Sequence, residues 1–236
     1  MTKCILFDLG GTLWDDWPAE LEYWRICAGL LTGAGHPCTV QQFISESTAL
    51  IDRYCPSLSR ALVWRFAGYD DELAARIRKE ASSMIWELLD DNEQLAKLYP
   101  LWPGVHGVLN ELRETCRLGV VSMHGSRVRP VLQRMGLAEY FEAVSLCDEA
   151  GLYKPDPRII QHALDAMELE AADCIMVGDR IDNDIWPANC LGLRSVWLQA
   201  HPYDRQLPRY ELDRPGLVIK SLDSLPPALR AMGWIA

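Results

Sequence analysis

Acidic side chains, hydroxyls and one lysine stand at the ends of short apolar runs along this chain of 236 residues. Carboxylate oxygens bind hard divalent cations, and a lysine supplies a compact positive charge. A carboxylate that attacks a phosphate dianion needs both, because like charges otherwise repel each other. These residue types therefore suit phosphoryl transfer to an aspartate, which divides a hydrolysis into two easier steps. The residues concerned are Asp8 with Thr12, Ser122, Lys154, and Asp179 with Asp184.

The runs that carry these residues predict strands of a parallel sheet. Each is four or five apolar residues long and is closed by glycine or polar residues, which is too short for a helix. From Pro103 onward such runs alternate with helical patterns, which is typical of an α/β fold. The carboxyl ends of parallel strands meet at one edge, where ligands bind. The predicted strands are residues 4–7, 118–122, 143–146, 174–177 and 195–198.

Between the first predicted strand and the rest of the sheet lies a segment with helical patterns alone. Apolar residues recur there at helical spacing, Pro18 is placed to open a helix, and Thr39 with Gln42 forms a capping-box pattern. We therefore predict an all-helical domain over residues 15–97, inserted into an α/β core of residues 1–14 and 98–236. An insertion directly after the first strand is well placed to act as a lid.

Charge and composition limit the classes of partner. The formal charge of −10 disfavours nucleic acid and anionic membrane surfaces. No apolar run approaches the length of a membrane span, and the eight cysteines include no C-x-x-C pair. We expect a soluble, cytoplasmic protein without a nucleic-acid or membrane partner.

Taken together, the motifs resemble those of the haloacid dehalogenase superfamily over residues 1–13 and 100–200. The resemblance implies a Rossmann-like, doubly wound parallel sheet of order 3-2-1-4-5 with an inserted helical cap. It implies a Mg²⁺-dependent phosphatase of small phosphorylated metabolites that acts through a phospho-aspartate. Separately, we expect a monomer or a homodimer. The resemblance implies that Asp8 is the nucleophile. The phosphoryl-binding and charge-neutralising groups that it implies are Gly11, Thr12, Ser122, Met123 and Lys154. The metal ligands that it implies are Asp8, Asp179, Asp184 and Gly10, the last through its carbonyl.

One position departs from the family pattern. Phosphatases of the family usually carry a second aspartate two residues after the nucleophile as general acid and base, and here that residue is Gly10. Loss of such a group typically slows a reaction about 10²- to 10⁴-fold. His124 is the first candidate to replace it, because histidine titrates near neutrality, and Asp15 and Asp16 are weaker candidates.

Three interpretations stay open. The first is a phosphatase with another proton donor or with substrates that have good leaving groups. The second is a phosphonate-cleaving or dehalogenase relative. The third is a phosphate- and Mg²⁺-binding protein without turnover. The intact Gly178-Asp179 pair argues against dehalogenation. Tryptophans and arginines of the helical segment, among them Trp24, Trp64 and Arg60, either face a substrate or serve as packing and solvated surface.

Overall fold

The computed structural model describes residues 2–236. The chain divides into two compact units, one that runs to Trp14 and resumes at Leu101, and one over Asp15–Pro100. The second unit is entirely helical. Its helices are α1 (Trp17–Gly33), α2 (Val40–Asp52), α3 (Leu58–Phe66), α4 (Asp71–Leu89) and α5 (Asn92–Leu98).

Side chains cap the start of three of these helices, α2, α4 and α5. Thr39 accepts a hydrogen bond from the Gln42 backbone at 3.3 Å, and the Gln42 side chain accepts one from the Thr39 backbone at 2.8 Å. The predicted capping box is thus confirmed. Asp70 caps α4 by accepting a single hydrogen bond from the Leu73 backbone at 2.9 Å. Such caps satisfy backbone N–H groups that have no partner within the helix.

Aromatic side chains form the centre of the helical unit. Trp24 is fully buried beside Phe43, whose ring lies 4.5 Å from that of Phe66. The Trp24 indole N–H also donates to Ser59 at 2.7 Å. Trp24 is therefore part of the core of this unit. Helix α2 ends at Asp52, and Tyr54, two residues beyond it, has a positive φ of 59°.

The other unit contains a parallel sheet of six strands. Its spatial order is 3-2-1-4-5-6, which confirms the predicted order for five strands and adds a sixth beside β5. That sixth strand pairs in register with β5, from Val196 opposite Leu217 to Leu198 opposite Ile219. The strands are β1 (Cys4–Phe7), β2 (Arg117–Ser122), β3 (Ala143–Leu146), β4 (Cys174–Gly178), β5 (Arg194–Leu198) and β6 (Leu217–Ile219).

Helices alternate with these strands along the chain, which gives the predicted α/β Rossmann-like fold. They are α6 (Val105–Arg113), α7 (Val128–Arg134), α8 (Cys147–Ala150), α9 (Arg158–Ala166), α10 (Trp186–Leu191) and α11 (Leu225–Ala231). On one face of the sheet, Cys4 and Leu6 pack with the apolar stripe of α9. Because strand side chains alternate, Ile5 and Phe7 lie toward the opposite face, and all four are fully buried.

The central strand β1 is held between β2 and β4. Its residues pair with both neighbours, and Leu6 lies opposite Gly119 and Met176. A Cβ atom at Gly119 would lie 2.8 Å from the Leu6 side chain, so the missing side chain makes room for the core. Pairing with a strand on each side holds β1 in the centre of the sheet, and Asp8 directly follows it. Among residues 2–236, no helix is long and apolar enough to cross a membrane.

Candidate active site

Three aspartates come together at the carboxyl edge of the sheet. Asp8 follows β1, and its backbone N–H continues the strand pairing by donating to the Val177 carbonyl at 2.9 Å. Asp179 follows β4, and Asp184 lies on the single π-helical turn behind it, Ile181–Ile185. One carboxylate oxygen from each of the three lies within 4.8 Å of the others. Clustered carboxylate oxygens of this kind are suited to a hard divalent cation.

Lys154 is the positive charge inside this cluster. Its Nζ atom lies 2.8 Å from Asp8 Oδ1 and 2.6 Å from Asp184 Oδ1. The side chains of Lys154 and Asp184 are fully buried, whereas 14% of the Asp8 side chain is exposed. A buried charge needs partners of opposite sign, and each of these has one. Asp8 is therefore the member of the cluster that an incoming molecule can reach.

Burial and charge shift the ionisation of the enclosed groups. Burial raises the pKa of Asp184 to about 6, although Lys154 acts in the opposite direction. Burial alone would lower the pKa of Lys154, but the carboxylates of Asp184 and Asp8 outweigh it and raise that pKa. Lys154 therefore remains a cation at neutral pH.

Two glycines allow the aspartates to come so close. Gly11 has a φ of +70°, and a Cβ atom built on it would lie 2.2 Å from Asp179 Oδ2. A Cβ atom on Gly178 would lie 2.3 Å from Asp184 Cγ. Both distances are far below a van der Waals contact, so no other residue type fits without displacing a carboxylate. The glycines of the two loops are thus part of the geometry of the acidic cluster.

Ser122 ends β2 and is fully buried. Its hydroxyl lies 3.0 Å from His124 Nδ1 and accepts a hydrogen bond from the His124 backbone at 3.2 Å. Met123, between them, is 37% exposed, and its sulfur accepts a hydrogen bond from the Lys154 backbone at 3.0 Å. The residues predicted on this loop therefore contact both Lys154 and each other.

The histidine predicted as a substitute acid is held neutral. Burial lowers the pKa of His124, the cation of Lys154 lowers it further, and the negative charge of Asp8 only partly opposes them. The Trp14 indole packs edge-on against the imidazole, with ring centroids 5.6 Å apart. A neutral imidazole suits a hydrogen-bond partner of Ser122 better than a proton donor at neutral pH.

The remaining predicted residues lie in the loop after Asp8 or at the start of α1. Gly10 and Thr12 are buried in that loop. The Thr12 hydroxyl has no hydrogen-bond partner among the residues described. Asp15 accepts a hydrogen bond from the Trp17 backbone at 2.9 Å, and Asp16 is the N-cap residue of α1. Asp15 thus contributes to the start of a helix in the helical unit.

Sequence reasoning did not predict the tryptophans that support the site. The Trp197 indole N–H donates to the Asp179 carbonyl at 2.7 Å, and the Trp102 indole N–H donates to the Gly11 carbonyl at 3.2 Å. Trp197 lies in the apolar run of β5, which was visible in the sequence. The pairing of β5 with β4 places it opposite Gly178, next to Asp179. Trp102 lies far from Gly11 in sequence, and no local pattern indicated their contact.

A salt-bridged network beside Asp179 was also missed. The Arg180 guanidinium lies 2.7 Å from Asp182 and stacks on the Tyr203 ring, 4.5 Å from its centroid. Gln206 accepts a hydrogen bond from the Ile181 backbone at 2.7 Å. These contacts tie the loop that carries Asp179 and Asp184 to the proline-rich segment near residue 205. The charges of that loop were visible in the sequence, but their partners were not.

The chain thus combines an α/β fold with a cluster of three aspartates, two of which contact Lys154, at the carboxyl edge of the sheet. This combination is that of a family of hydrolases. The haloacid dehalogenase-like hydrolase family matches residues 2–192, and the chain belongs to that family. The prediction of the family, and of a hydrolase, is thus confirmed.

Several characterised proteins are similar to the chain. It is 31% identical over 208 residues to glyceraldehyde 3-phosphate phosphatase of Pyrococcus abyssi, covering 84% of this chain and 82% of the relative. A crystal structure of a phosphatase of the family from Thermococcus onnurineus has a TM-score of 0.69 at 24% identity, covering 97% and 98% of the two chains. A crystal structure of 2-haloacid dehalogenase from Pseudomonas syringae has a TM-score of 0.63 at 25% identity, covering 98% and 100%.

Proposed function

We propose that the chain is a Mg²⁺-dependent phosphatase that hydrolyses small phosphorylated metabolites through a phospho-aspartate on Asp8. The observation that carries the proposal is the cluster of three aspartates around Lys154. A curated relative that is 31% identical is named a phosphatase, which supports this reaction class.

The site fits a magnesium ion by its donors. Asp8, Asp179 and Asp184 present carboxylate oxygens within 4.8 Å of one another, and the two glycines leave room only for those oxygens. We propose that these residues, with the Gly10 carbonyl, hold the ion. When bound, Mg²⁺ would neutralise charge on a phosphoryl group and so permit the approach of a carboxylate.

Four side chains of the chain have separate roles in the proposed reaction. Asp8 is the partly exposed carboxylate of the cluster, and in our proposal its oxygen attacks phosphorus, while the bond to the leaving oxygen breaks. Lys154 neutralises the transferring group, and the Ser122 hydroxyl binds one of its oxygens. The unpartnered Thr12 hydroxyl is a further donor, since a buried hydroxyl without a hydrogen bond is costly. Water then attacks the phosphorus of the phospho-aspartate, the bond from phosphorus to the Asp8 oxygen breaks, and inorganic phosphate leaves, which restores Asp8.

The leaving group needs a proton, and neither Gly10 nor His124 is suited to supply it. Gly10 has no side chain to supply it, and His124 is held neutral by its surroundings. We therefore propose that the enzyme favours substrates whose leaving group needs little protonation, such as acyl or aryl phosphates. This preference follows from the chemistry of the loop and does not identify a metabolite.

Phosphate release from p-nitrophenyl phosphate, acetyl phosphate and a panel of sugar phosphates tests the proposal. The wild-type chain should turn over activated esters only with Mg²⁺, and Asp8→Asn should not. A matched control is Asp148→Asn, because Asp148 is a carboxylate of the same unit that binds the Ser126 backbone and is not in the cluster. The absence of turnover on every ester would favour the third interpretation, a phosphate- and Mg²⁺-binding protein without turnover, which the missing acid at residue 10 supports.

A further inference from the structure

A pocket with a volume of about 580 Å³ opens on the helical unit, between α3 and α4. Every residue that lines it belongs to this unit, whereas the acidic cluster belongs to the α/β unit. The volume lies in the range of small-molecule sites. The lining residues used below are Arg60, Ala61, Trp64, Asp71, Ala74 and Arg78.

Two guanidinium groups of this pocket have no partner. Among residues 2–236, neither Arg60 nor Arg78 forms an ion pair or hydrogen bond, and the Arg78 Nε atom is buried without a partner. Two other arginines of the unit are paired: Arg25 lies 2.5 Å from Glu22, and Arg65 lies 2.8 Å from Glu46. A buried N–H group that has lost water and gained no acceptor is costly, so the pocket is incomplete without an acceptor.

The interior neighbours of Arg78 do not neutralise it. Its charge acts on Tyr23 and Cys27 of α1, and both stay neutral because burial raises their pKa, for Cys27 to about 12. Glu20, whose charge also reaches these two groups, accepts a hydrogen bond from Ser59. Asp71 is the only carboxylate in the lining, so the lining carries two positive charges against one negative charge.

Trp64 gives the pocket an aromatic surface. The Trp64 side chain is 41% exposed and is held edge-on against Tyr69, with ring centroids 4.8 Å apart. Ala61 and Ala74 are small and leave room beside it. An indole held in place at the side of a pocket is suited to pack against a ring or another flat apolar group.

We propose that this pocket binds a small organic anion that carries an apolar ring. Arg60 and Arg78 bind its carboxylate or phosphate, and Trp64 packs against its ring. Arginine suits this role because its planar group donates two parallel hydrogen bonds to such anions. The proposal goes beyond the phosphatase activity and does not depend on it.

Calorimetric titration with phenylphosphonate and with benzoate tests the proposal, since neither is a phosphate ester that the enzyme can hydrolyse. The titration is made in chelator, because without a metal the aspartates around Lys154 repel anions. Arg60→Gln and Arg78→Gln should each weaken binding about tenfold or more, as expected for the loss of charged hydrogen bonds. Arg76→Gln is the matched control, because Arg76 is an exposed arginine of α4 outside the pocket and should bind like the wild type.

A further variant should strengthen binding of the anion, whereas the arginine variants weaken it. Asp71→Asn removes the negative charge of the lining and should tighten binding about two- to fivefold, which a merely structural effect would not do. Neutral benzamide should bind at least tenfold more weakly than benzoate. No binding of either anion, or binding that Arg60→Gln and Arg78→Gln leave unchanged, would overturn the proposal.

Should no ester be hydrolysed, the phosphatase proposal fails while the calorimetric result still stands.

Discussion

Lys154 Nζ lies 2.6 Å from Asp184 Oδ1, and both side chains are fully buried. The same ammonium group reaches Asp8 at 2.8 Å, so one cation compensates two carboxylates. Breaking a buried ion pair from one side usually costs about 3 to 5 kcal/mol, because the remaining charge is left without a partner. Removing the charge of either Lys154 or Asp184 should therefore destabilise the α/β unit as well as change the site.

Lys154→Met should lower the free energy of unfolding by about 3 kcal/mol and abolish turnover. The variant should nevertheless bind Mg²⁺ at least as tightly as the wild type, because a competing cation has gone. Urea unfolding and magnesium titration by calorimetry measure the two effects. Adding Asp184→Asn to Lys154→Met should restore part of the stability and weaken magnesium binding, and a double variant less stable than Lys154→Met would contradict this.

Gly11→Ala should lose metal-dependent turnover at least 100-fold, because the added Cβ would lie 2.2 Å from Asp179 Oδ2. Gly35→Ala is the control for backbone strain, since Gly35 also has a positive φ, of +88°, but nothing within 4 Å of its Cβ position. Both variants should lose roughly 1 kcal/mol of stability from the left-handed backbone. Equal activity in the two would show that Asp179 does not need the space at Gly11.

Gly10→Asp should accelerate alkyl phosphates about 10²-fold or more and aryl phosphates much less. The physical reason is that an alkoxide leaving group needs a proton, whereas p-nitrophenolate hardly does. Gly10→Asn, similar in size but unable to exchange a proton, is the control. Acceleration of both ester classes to the same extent would show that residue 10 does not face the leaving oxygen.

His124→Gln should retain turnover within about tenfold, because an amide can still hydrogen-bond the Ser122 hydroxyl that lies 3.0 Å from Nδ1. His124→Leu should lose more, since Ser122 would then lack this partner. Rates on p-nitrophenyl phosphate from pH 5.5 to 8.5 measure both variants. A loss of 10³-fold in His124→Gln, with the disappearance of a titration near neutrality, would identify His124 as the proton donor instead.

The sequence predicted the elements whose signals are local. Four apolar residues before Asp8 could only be a buried strand, and Thr39 with Gln42 marked the start of a helix from its own side chains. Each predicted site residue near a strand end follows from the same kind of pattern, since parallel strands bring their carboxyl ends together.

What the sequence did not reveal depends on pairs far apart in the chain. The bond from Trp197 to Asp179 needs the register of β4 and β5, and that from Trp102 to Gly11 needs the path of the chain after the helical unit. The neutral state of His124 follows from burial, which no local pattern gives. Arg60 was one of several arginines with the same local pattern, and only the structure distinguishes it from the paired Arg65.

The role of Asp8 as nucleophile is tested by trapping the covalent intermediate. The enzyme is mixed with acetyl phosphate and Mg²⁺, quenched in acid within a turnover, and reduced with borohydride, which converts an aspartyl phosphate to homoserine. Peptide mass spectrometry should find homoserine at residue 8 in the wild type, and none without Mg²⁺ or in Asp8→Asn. Steady phosphate release in the absence of any homoserine at residue 8 would contradict the proposed mechanism.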